Sequence, residues 1–299
     1  MSIKQRRIIL KKRSNDEPSI LAEMALKAAK AAMESAGKNA NDIDVVITAC
    51  SNLERAYPAI SIEVQALLGI KGFAFDMNVA CSSATFAVQT ASDMIRSGSA
   101  KTILIVDPEI CSGHLDFKDR DCHFIFGDVC TAIILESKET AQSKNSFAIP
   151  STKRGTQFSN NIRNNFGFLN YAKRSSHLDR DLLFMQEGRK VFKEVVPMVS
   201  QLILDHLSQE KIKIDDIKRL WLHQANKSMN DLIGKKVLGR VPEAHEQPNV
   251  LQDYANTSSA GSIIAFSLYS EDMKKGEIGV LCSFGAGYSV GSVILRKTG

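Results

Sequence analysis

Asp42-Ile43-Asp44-Val45-Val46-Ile47-Thr48-Ala49-Cys50-Ser51-Asn52 returns 174 residues later as Asp216-Ile217-Lys218-Arg219-Leu220-Trp221-Leu222-His223-Gln224-Ala225-Asn226. Each stretch starts acidic, runs through an apolar segment of strand length and ends in a polar turn. Ala80-Cys81-Ser82-Ser83-Ala84 has its likeness in Ala255-Asn256-Thr257-Ser258-Ser259-Ala260, at an offset of 175. Ile103-Leu104-Ile105-Val106 is matched by Ile278-Gly279-Val280-Leu281, at 175 again. Three elements at one nearly constant spacing mark an internal duplication. The chain reads as two copies of one βα unit.

Working outward, each copy has the same order of elements. A helix is expected from Ser19 to Ala36, with Ala, Leu and Met at helical spacing and Gly37 as its stop. Its counterpart is expected from about Asp181 to Leu207. The first copy then predicts strands near 43–49, 73–79, 102–107 and 131–136, with helices near 59–68 and 82–95. The second predicts strands near 218–222, 278–284 and 290–296, and a helix after Asn256. Strands alternating with helices favour mostly parallel sheets covered by helices. Residues 137–180 fit neither pattern and read as a long connection, leaving an N-terminal half at 1–136 and a C-terminal half at 181–299.

Composition excludes several classes. At 299 residues, 44% hydrophobic and 24% charged, the chain is neither disordered, collagen-like nor supercharged. No apolar run nears the ~20 residues needed to span a bilayer, and the first twenty residues lack a signal-peptide core. Six cysteines are too sparse for a disulfide framework, so the expected location is cytoplasmic. The net charge of +5 includes an N-terminal cluster of Lys4, Arg6, Arg7, Lys11, Lys12 and Arg13. It reads as a solvated edge, or as attraction toward an acidic partner such as a phosphate-bearing cofactor or carrier protein. No aromatic-interleaved basic stripe points to nucleic acid.

Four places carry chemistry. Cys81 stands between an apolar strand and a helix start, where the helix N-terminus is expected to favour thiolate and lower the thiol pKa; the plain alternative is a small buried cysteine. His223 ends the apolar run Leu220-Trp221-Leu222, a position more often filled by a packing residue. Asn256 alone would read as a helix cap. The duplication makes Cys81 and Asn256 equivalents, at turns that two-fold halves bring together. Gly285-Ala286-Gly287 follows a strand, where small residues let backbone amides approach a developing oxyanion. Cys111, His114, Cys122, His123 and Cys130 could suggest zinc, but they lack the paired spacing of structural sites.

Together, Asp76-Met77-Asn78-Val79-Ala80-Cys81-Ser82-Ser83, Trp221-Leu222-His223-Gln224-Ala225-Asn226, Asn256-Thr257-Ser258-Ser259-Ala260 and Phe284-Gly285-Ala286-Gly287-Tyr288 resemble the β-ketoacyl-acyl-carrier-protein synthase III family of the thiolase superfamily. The resemblance covers nearly the whole chain in order, and Ala80-Cys81-Ser82-Ser83-Ala84-Thr85-Phe86 looks most like the branch initiating from medium-chain acyl-CoA. It implies a duplicated thiolase-like α/β fold layered α-β-α-β-α. The chain start at Ile3-Lys4-Gln5-Arg6-Arg7 aligns with a family segment normally preceded by a strand and a helix, so that first strand and helix are expected to be lacking.

The resemblance also implies an acyltransferase, with roles for individual residues. Cys81 takes the acyl group from acyl-CoA. Malonyl-carrier protein then enters and decarboxylates, and its enolate attacks the acyl-cysteine. His223 and Asn256 stabilise that enolate, and the amides of Cys81 and Ala286 form the oxyanion hole. Arg120 matches a residue near the CoA adenine, Phe192 an aromatic of the pantetheine channel, and Ala225 with Asn226 its amide side. Tyr57 matches a position that in family homodimers reaches the neighbour's acyl pocket. Ser228 stands where the family often has an arginine for carrier docking. The partners implied are acyl-CoA, acyl carrier protein and a second copy of the chain, with no metal and no permanently bound cofactor. A non-condensing acyltransferase, a secondary-metabolite ketosynthase and a non-catalytic scaffold are the alternatives; the intact Cys81, His223 and Asn256 argue against the last.

Overall fold

The computed structural model describes residues 7, 8, 10, 13, 14, 16–141, 143, 145–164 and 182–299. Lys4, Arg6, Lys11 and Lys12 of the basic cluster, Asp181, and 165–180 of the expected connection lie outside the described residues. Of the remaining cluster, Arg13 pairs with Glu23 at 2.6 Å, and Arg7 lies 4.6 Å over the ring of Phe117.

The first half runs α1 (Ile20–Ala36), β1 (Val45–Ala49), α2 (Ile60–Leu68), β2 (Phe73–Met77), α3 (Ser83–Arg96), β3 (Thr102–Ile110) and β4 (Asp128–Glu136). Ser19 caps α1 by accepting from the Ala22 amide, and Gly37 ends it in the left-handed conformation at φ +65°. The strands assemble in the order β2-β1-β3-β4, parallel except for the last pair.

The chain continues through β5 (Phe147–Ser159), a short β6 (Ile162–Arg163) and β7 (Met185–Gln186), then α4 (Gly188–Gln209), β8 (Ile217–Leu222), α5 (Lys227–Leu238) and α6 (Leu251–Tyr254). It closes with α7 (Ala260–Leu268), β9 (Ile278–Gly285) and β10 (Gly287–Lys297). The second sheet is ordered β5-β10-β9-β8. β8 runs parallel to β9 with Ile217 opposite Ile278, as β1 runs parallel to β3 with Val45 opposite Ile103. β10 then returns antiparallel on β9, as β4 does on β3. The repeat in the sequence is thus a repeat of sheet topology.

Three buried clusters show how the layers stack. One packs α1 and α2 on the outer face of the first sheet through Leu21, Ala25, Val46, Val64 and Leu104. The middle one holds α3 and α7 between the inner faces of both sheets, with Ala84, Ala87, Ile263, Ile105 and Leu281. The third places α4 and α5 on the outer face of the second sheet through Val195, Ile203, Ile233 and Val280. The order is α-β-α-β-α. Trp221 is wholly buried in the middle cluster, edge-on to Phe147 and Phe266, and its indole N–H donates to the Tyr269 carbonyl at 3.0 Å. Aromatic pairs of this kind add about 0.5–1.5 kcal/mol each beyond their area.

Several elements differ from the sequence expectation: the helix expected from about Asp181 begins at Gly188, after the short strand β7, and α5 was not expected. Residues 147–159, expected within a connection, form the long edge strand β5 on β10. Its side chains are Ser, Thr, Lys, Arg and Gln for much of its length and largely half-exposed, so it lacks the apolar signature of its neighbours. β3 runs on to Ile110 through Pro108 rather than stopping near 107. β1 pairs with it only as far as Val106, so Pro108 costs no bond to β1. No helix among the described residues is long and apolar enough to cross a membrane.

Candidate active site

Cys81 sits directly before Ser82, the cap of α3, on a turn forced by Ala80 at φ +48°. His223 leaves β8 with its amide donating to the Cys282 carbonyl at 2.8 Å. Asn256 follows Ala255, at φ +61°, and is held between Ile125 and Gly127 by backbone bonds of 2.8 and 3.0 Å. These three residues, which follow β2, β8 and α6, converge on Ser258. Its hydroxyl stands beside the Cys81 thiol and its backbone beside the His223 ring, whose Nδ1 is buried without a hydrogen-bond partner, and its amide donates to Asn256 Oδ1 at 3.0 Å. With Oδ1 engaged, the Asn256 amide keeps its N–H groups as donors for another partner.

The backbone after β9 closes the other side. The amides of Cys81 and Ala286 both approach the sulfur. Gly285 is required there: a Cβ on it would fall 2.6 Å from Cys81 Cβ and 2.9 Å from Cys81 N. A cavity of about 450 Å³ opens beside Ala80 and Ala286, lined also by Val79, Phe158 and Tyr288.

Electrostatics correct one expectation. The Cys81 thiol is pushed up to about 11, not lowered, because burial outweighs the contact with Ser258 and the amides of Cys81 and Ala286. The helix start behind it does not make a resting thiolate. His223, buried and edge-on to Phe284 at 5.1 Å, is pulled down to about 4 by burial, with the Ser258 backbone beside it acting against that. It is therefore a neutral imidazole at physiological pH.

The other expected residues lie on separate elements. Arg120 is exposed in the turn between β3 and β4, and Phe192 is half-buried on α4 against the outer core of the second sheet. Ala225 is half-buried, and Asn226 is exposed and caps α5 by accepting from the Met229 amide at 3.2 Å. Tyr57 stands out from the loop before α2 at 84% exposure. Of the cysteines weighed for zinc, Cys111 and Cys122 are wholly buried; the described residues hold no group of three or more His, Cys, Asp or Glu placed for a metal. Sequence reasoning missed Ser258, whose φ of +52° lets it face three residues at once. It also missed two buried acids on β3: Glu109, joined to Ser258 through Ser51, and Asp107, which meets Ser259.

Comparison with known proteins bears on this arrangement. Residues 75–152 match the family model for 3-oxoacyl-[acyl-carrier-protein (ACP)] synthase III, and residues 207–297 match its C-terminal model. A beta-ketodecanoyl-[acyl-carrier-protein] synthase of Pseudomonas aeruginosa is 63% identical over 288 residues, covering 96% of this chain and 82% of that protein. A beta-ketoacyl-[acyl-carrier-protein] synthase III of Mesorhizobium japonicum is 35% identical over 312 residues, covering 98% and 88%. The crystal structure of 3-oxoacyl-[acyl-carrier-protein] synthase III from Aquifex aeolicus VF5 matches with a TM-score of 0.80 at 26% identity, covering 98% of this chain and 88% of that one.

Proposed function

The chain belongs to the 3-oxoacyl-[acyl-carrier-protein] synthase III family, and from that premise we propose that it condenses an acyl-CoA primer with malonyl-acyl-carrier protein, losing carbon dioxide and giving a 3-oxoacyl-carrier protein that starts a fatty-acid chain. The observation that carries this reading is the convergence of Cys81, His223 and Asn256 on Ser258.

Cys81 attacks the primer thioester and expels CoA, splitting one difficult transfer into two steps. The amides of Cys81 and Ala286 receive the oxyanion of the tetrahedral intermediate, because both already face the sulfur. Malonyl-carrier protein then occupies the site. The neutral His223 and the N–H groups of Asn256 stabilise the thioester oxygen as decarboxylation turns it into an enolate. The enolate carbon attacks the acyl group on Cys81. A second cysteine base would serve proton abstraction instead; the Asn256 amide suits decarboxylation. No metal or redox cofactor enters these steps.

The primer is a medium-chain acyl-CoA. Support comes from the relative in Pseudomonas aeruginosa, since a beta-ketodecanoyl product corresponds to an eight-carbon primer plus the two carbons malonate leaves behind. Arg120, Phe192, Ala225 and Asn226 line the route for CoA and the carrier's pantetheine. An acidic carrier suits the cations Arg189 and Lys193 of α4 and Lys235 and Lys236 of α5, all exposed on one pair of packed helices. A homodimer, with Tyr57 of each copy serving the other's acyl pocket, suits the exposure of Tyr57 and the open edge of the first sheet at β2. The site then lies between the two halves, 1–136 and 181–299, of a cytoplasmic enzyme.

Intact-mass spectrometry after incubation with octanoyl-CoA tests the covalent step. Wild type gains one acyl group and Cys81→Ala gains none; label on the variant would sink the assignment.

A further inference from the structure

In this reading His223 and Asn256 serve the malonyl thioester, which leaves the proton lost by Cys81 during acylation without a receiver. The inference below rests on that reading. β3 turns Ile103 and Ile105 into the middle core, and the same face continues with Asp107 and Glu109, 1% and 0% exposed. Buried carboxyl groups are costly unless their partners compensate. Glu109 is fully partnered: Oε1 accepts from the Ser51 amide at 3.0 Å and the Ser259 hydroxyl at 2.9 Å. Its Oε2 accepts from the Ser51 hydroxyl at 2.7 Å and Asn52 Nδ2 at 3.2 Å. Asp107 shares only Ser259, at 2.6 Å from Oδ1, and its Oδ2 is buried with no partner.

Two carboxyl groups joined by one hydroxyl do not both ionise. Burial pushes both up, Asp107 further, and Ser259 has one proton for two carboxyl groups: Asp107 holds the shared proton on Oδ1 and donates it to Ser259 Oγ, which keeps its own for Glu109 beside the Ser51 amide, the Ser51 hydroxyl and Asn52 Nδ2. Ser259 also caps α7, whose N-terminus favours a nearby negative charge.

From Glu109 a line of hydroxyls leads to the nucleophile. Ser51 Oγ donates to Glu109 Oε2 at 2.7 Å, Ser258 Oγ donates to Ser51 Oγ at 2.9 Å, and the Ser258 hydroxyl stands beside the Cys81 thiol, where it acts against the effect of burial. Both hydroxyls point the same way, from sulfur to carboxylate. We propose that Glu109 receives the Cys81 proton through Ser258 and Ser51, with Asp107 holding the proton that leaves Glu109 free to accept it.

The step balances. The thiol proton passes to Ser258 Oγ as Ser258 gives its own to Ser51, and Ser51 gives its own to Glu109. The sulfur pair bonds the primer's carbonyl carbon, and the carbonyl–sulfur bond to CoA breaks. The proton returns along the line to the CoA sulfur, leaving Glu109 charged and nothing oxidised or reduced. Without such a receiver, a thiol held near 11 would be thiolate roughly once in ten thousand molecules at pH 7. The titratable groups around Glu109 are Asp107 on its own strand, Cys50 after β1, Cys81 before α3, Cys111 after β3 and Cys130 on β4. None of these is a cation, and α7 contributes only hydroxyls. Glu109 touches no reacting atom; it is a positioning residue acting through two serines.

The test is the acylation rate of the full chain with octanoyl-CoA, followed by intact mass from pH 6.5 to 9.5, for wild type, Glu109→Gln and Ser51→Ala. Wild type is expected to change little over this range. Both variants are expected to be about 10²-fold slower at pH 7. Their log rates should rise by about one per pH unit, as direct ionisation of the thiol replaces the relay. Ser51→Ala keeps both acids, so it decides alone if Glu109→Gln fails to fold. Variants that match wild type, or that slow equally at every pH, overturn the relay. A wild-type chain that takes no acyl group overturns the underlying reading, and the relay with it.

Discussion

Ala80 and Ala255 each hold left-handed backbone, at φ +48° and +61°, one residue before Cys81 and Asn256. They stand 175 positions apart, the offset of the sequence repeat. Duplication has therefore preserved a strained backbone turn as well as an order of strands. For an L-residue such a conformation costs about 1–3 kcal/mol and persists only where its surroundings enforce it. Here it turns one side chain after β2 and one after α6 toward Ser258.

That strain is measurable at Ala255, whose ψ of −163° lies in a region suited to glycine. Ala255→Gly should be neutral or stabilising in chemical denaturation. Ala255→Val should cost about 2 kcal/mol or more, since a branched Cβ tolerates positive φ least. Equal stabilities for the three proteins would remove the case for strain.

Gly285→Ala tests the closure over the nucleophile. The new Cβ would press on the backbone amide of Cys81, which cannot yield without moving the oxyanion site. Acylation should fall by about 10²-fold or more, the scale set by a misplacement of about 1 Å, while far-UV circular dichroism is unchanged. An alanine variant that acylates normally would mean that these amides do not define the site.

The division of labour predicts a split phenotype for His223→Ala. Acyl transfer to Cys81 should persist, and decarboxylation of malonyl-carrier protein should be lost. Carbon dioxide release measured beside intact mass separates the two. Retained decarboxylation would contradict the enolate role.

The buried histidines set a pH window. Burial pulls His114, His206 and His223 down to about 4, below the ordinary 6.5 that they regain on unfolding. Protonation thus favours the unfolded chain. Their contribution to stability is complete above pH 6.5 and is lost as pH falls through about 4. Thermal unfolding from pH 7.5 to 4 should show this decline, and decarboxylation should survive well below pH 6.5. Loss of activity with a midpoint near 6.5 would mean that His223 titrates as an exposed imidazole.

Much of this was legible in the chain itself, because the repeat supplied what single residues could not. Cys81, His223 and Asn256 are each ambiguous alone; the common offset paired Cys81 with Asn256, at turns that two-fold halves bring together. Alternating strands and helices pointed to sheets covered by helices, and the layered α-β-α-β-α order came from the family resemblance. β5 was not legible, since a polar edge strand buries too little apolar surface to stand out from a loop. Asp107 and Glu109 were hidden by Pro108, which signals the end of a strand that in fact continues because β1 has already stopped pairing. Ser258 gave no signal, because its position depends on a positive φ that serine rarely adopts. The thiol pKa was misjudged because a helix start is visible in sequence, whereas the burial that outweighs it is not.

Condensation itself is the most direct measurement. Wild-type protein is supplied with malonyl-acyl-carrier protein and acyl-CoA primers of graded length, and the carrier-bound product is weighed by mass spectrometry. The expected product is a 3-oxoacyl-carrier protein two carbons longer than its primer, formed best from medium chains and absent with Cys81→Ala. Acylation of Cys81 without condensation from any primer would contradict the condensing role and leave an acyltransferase.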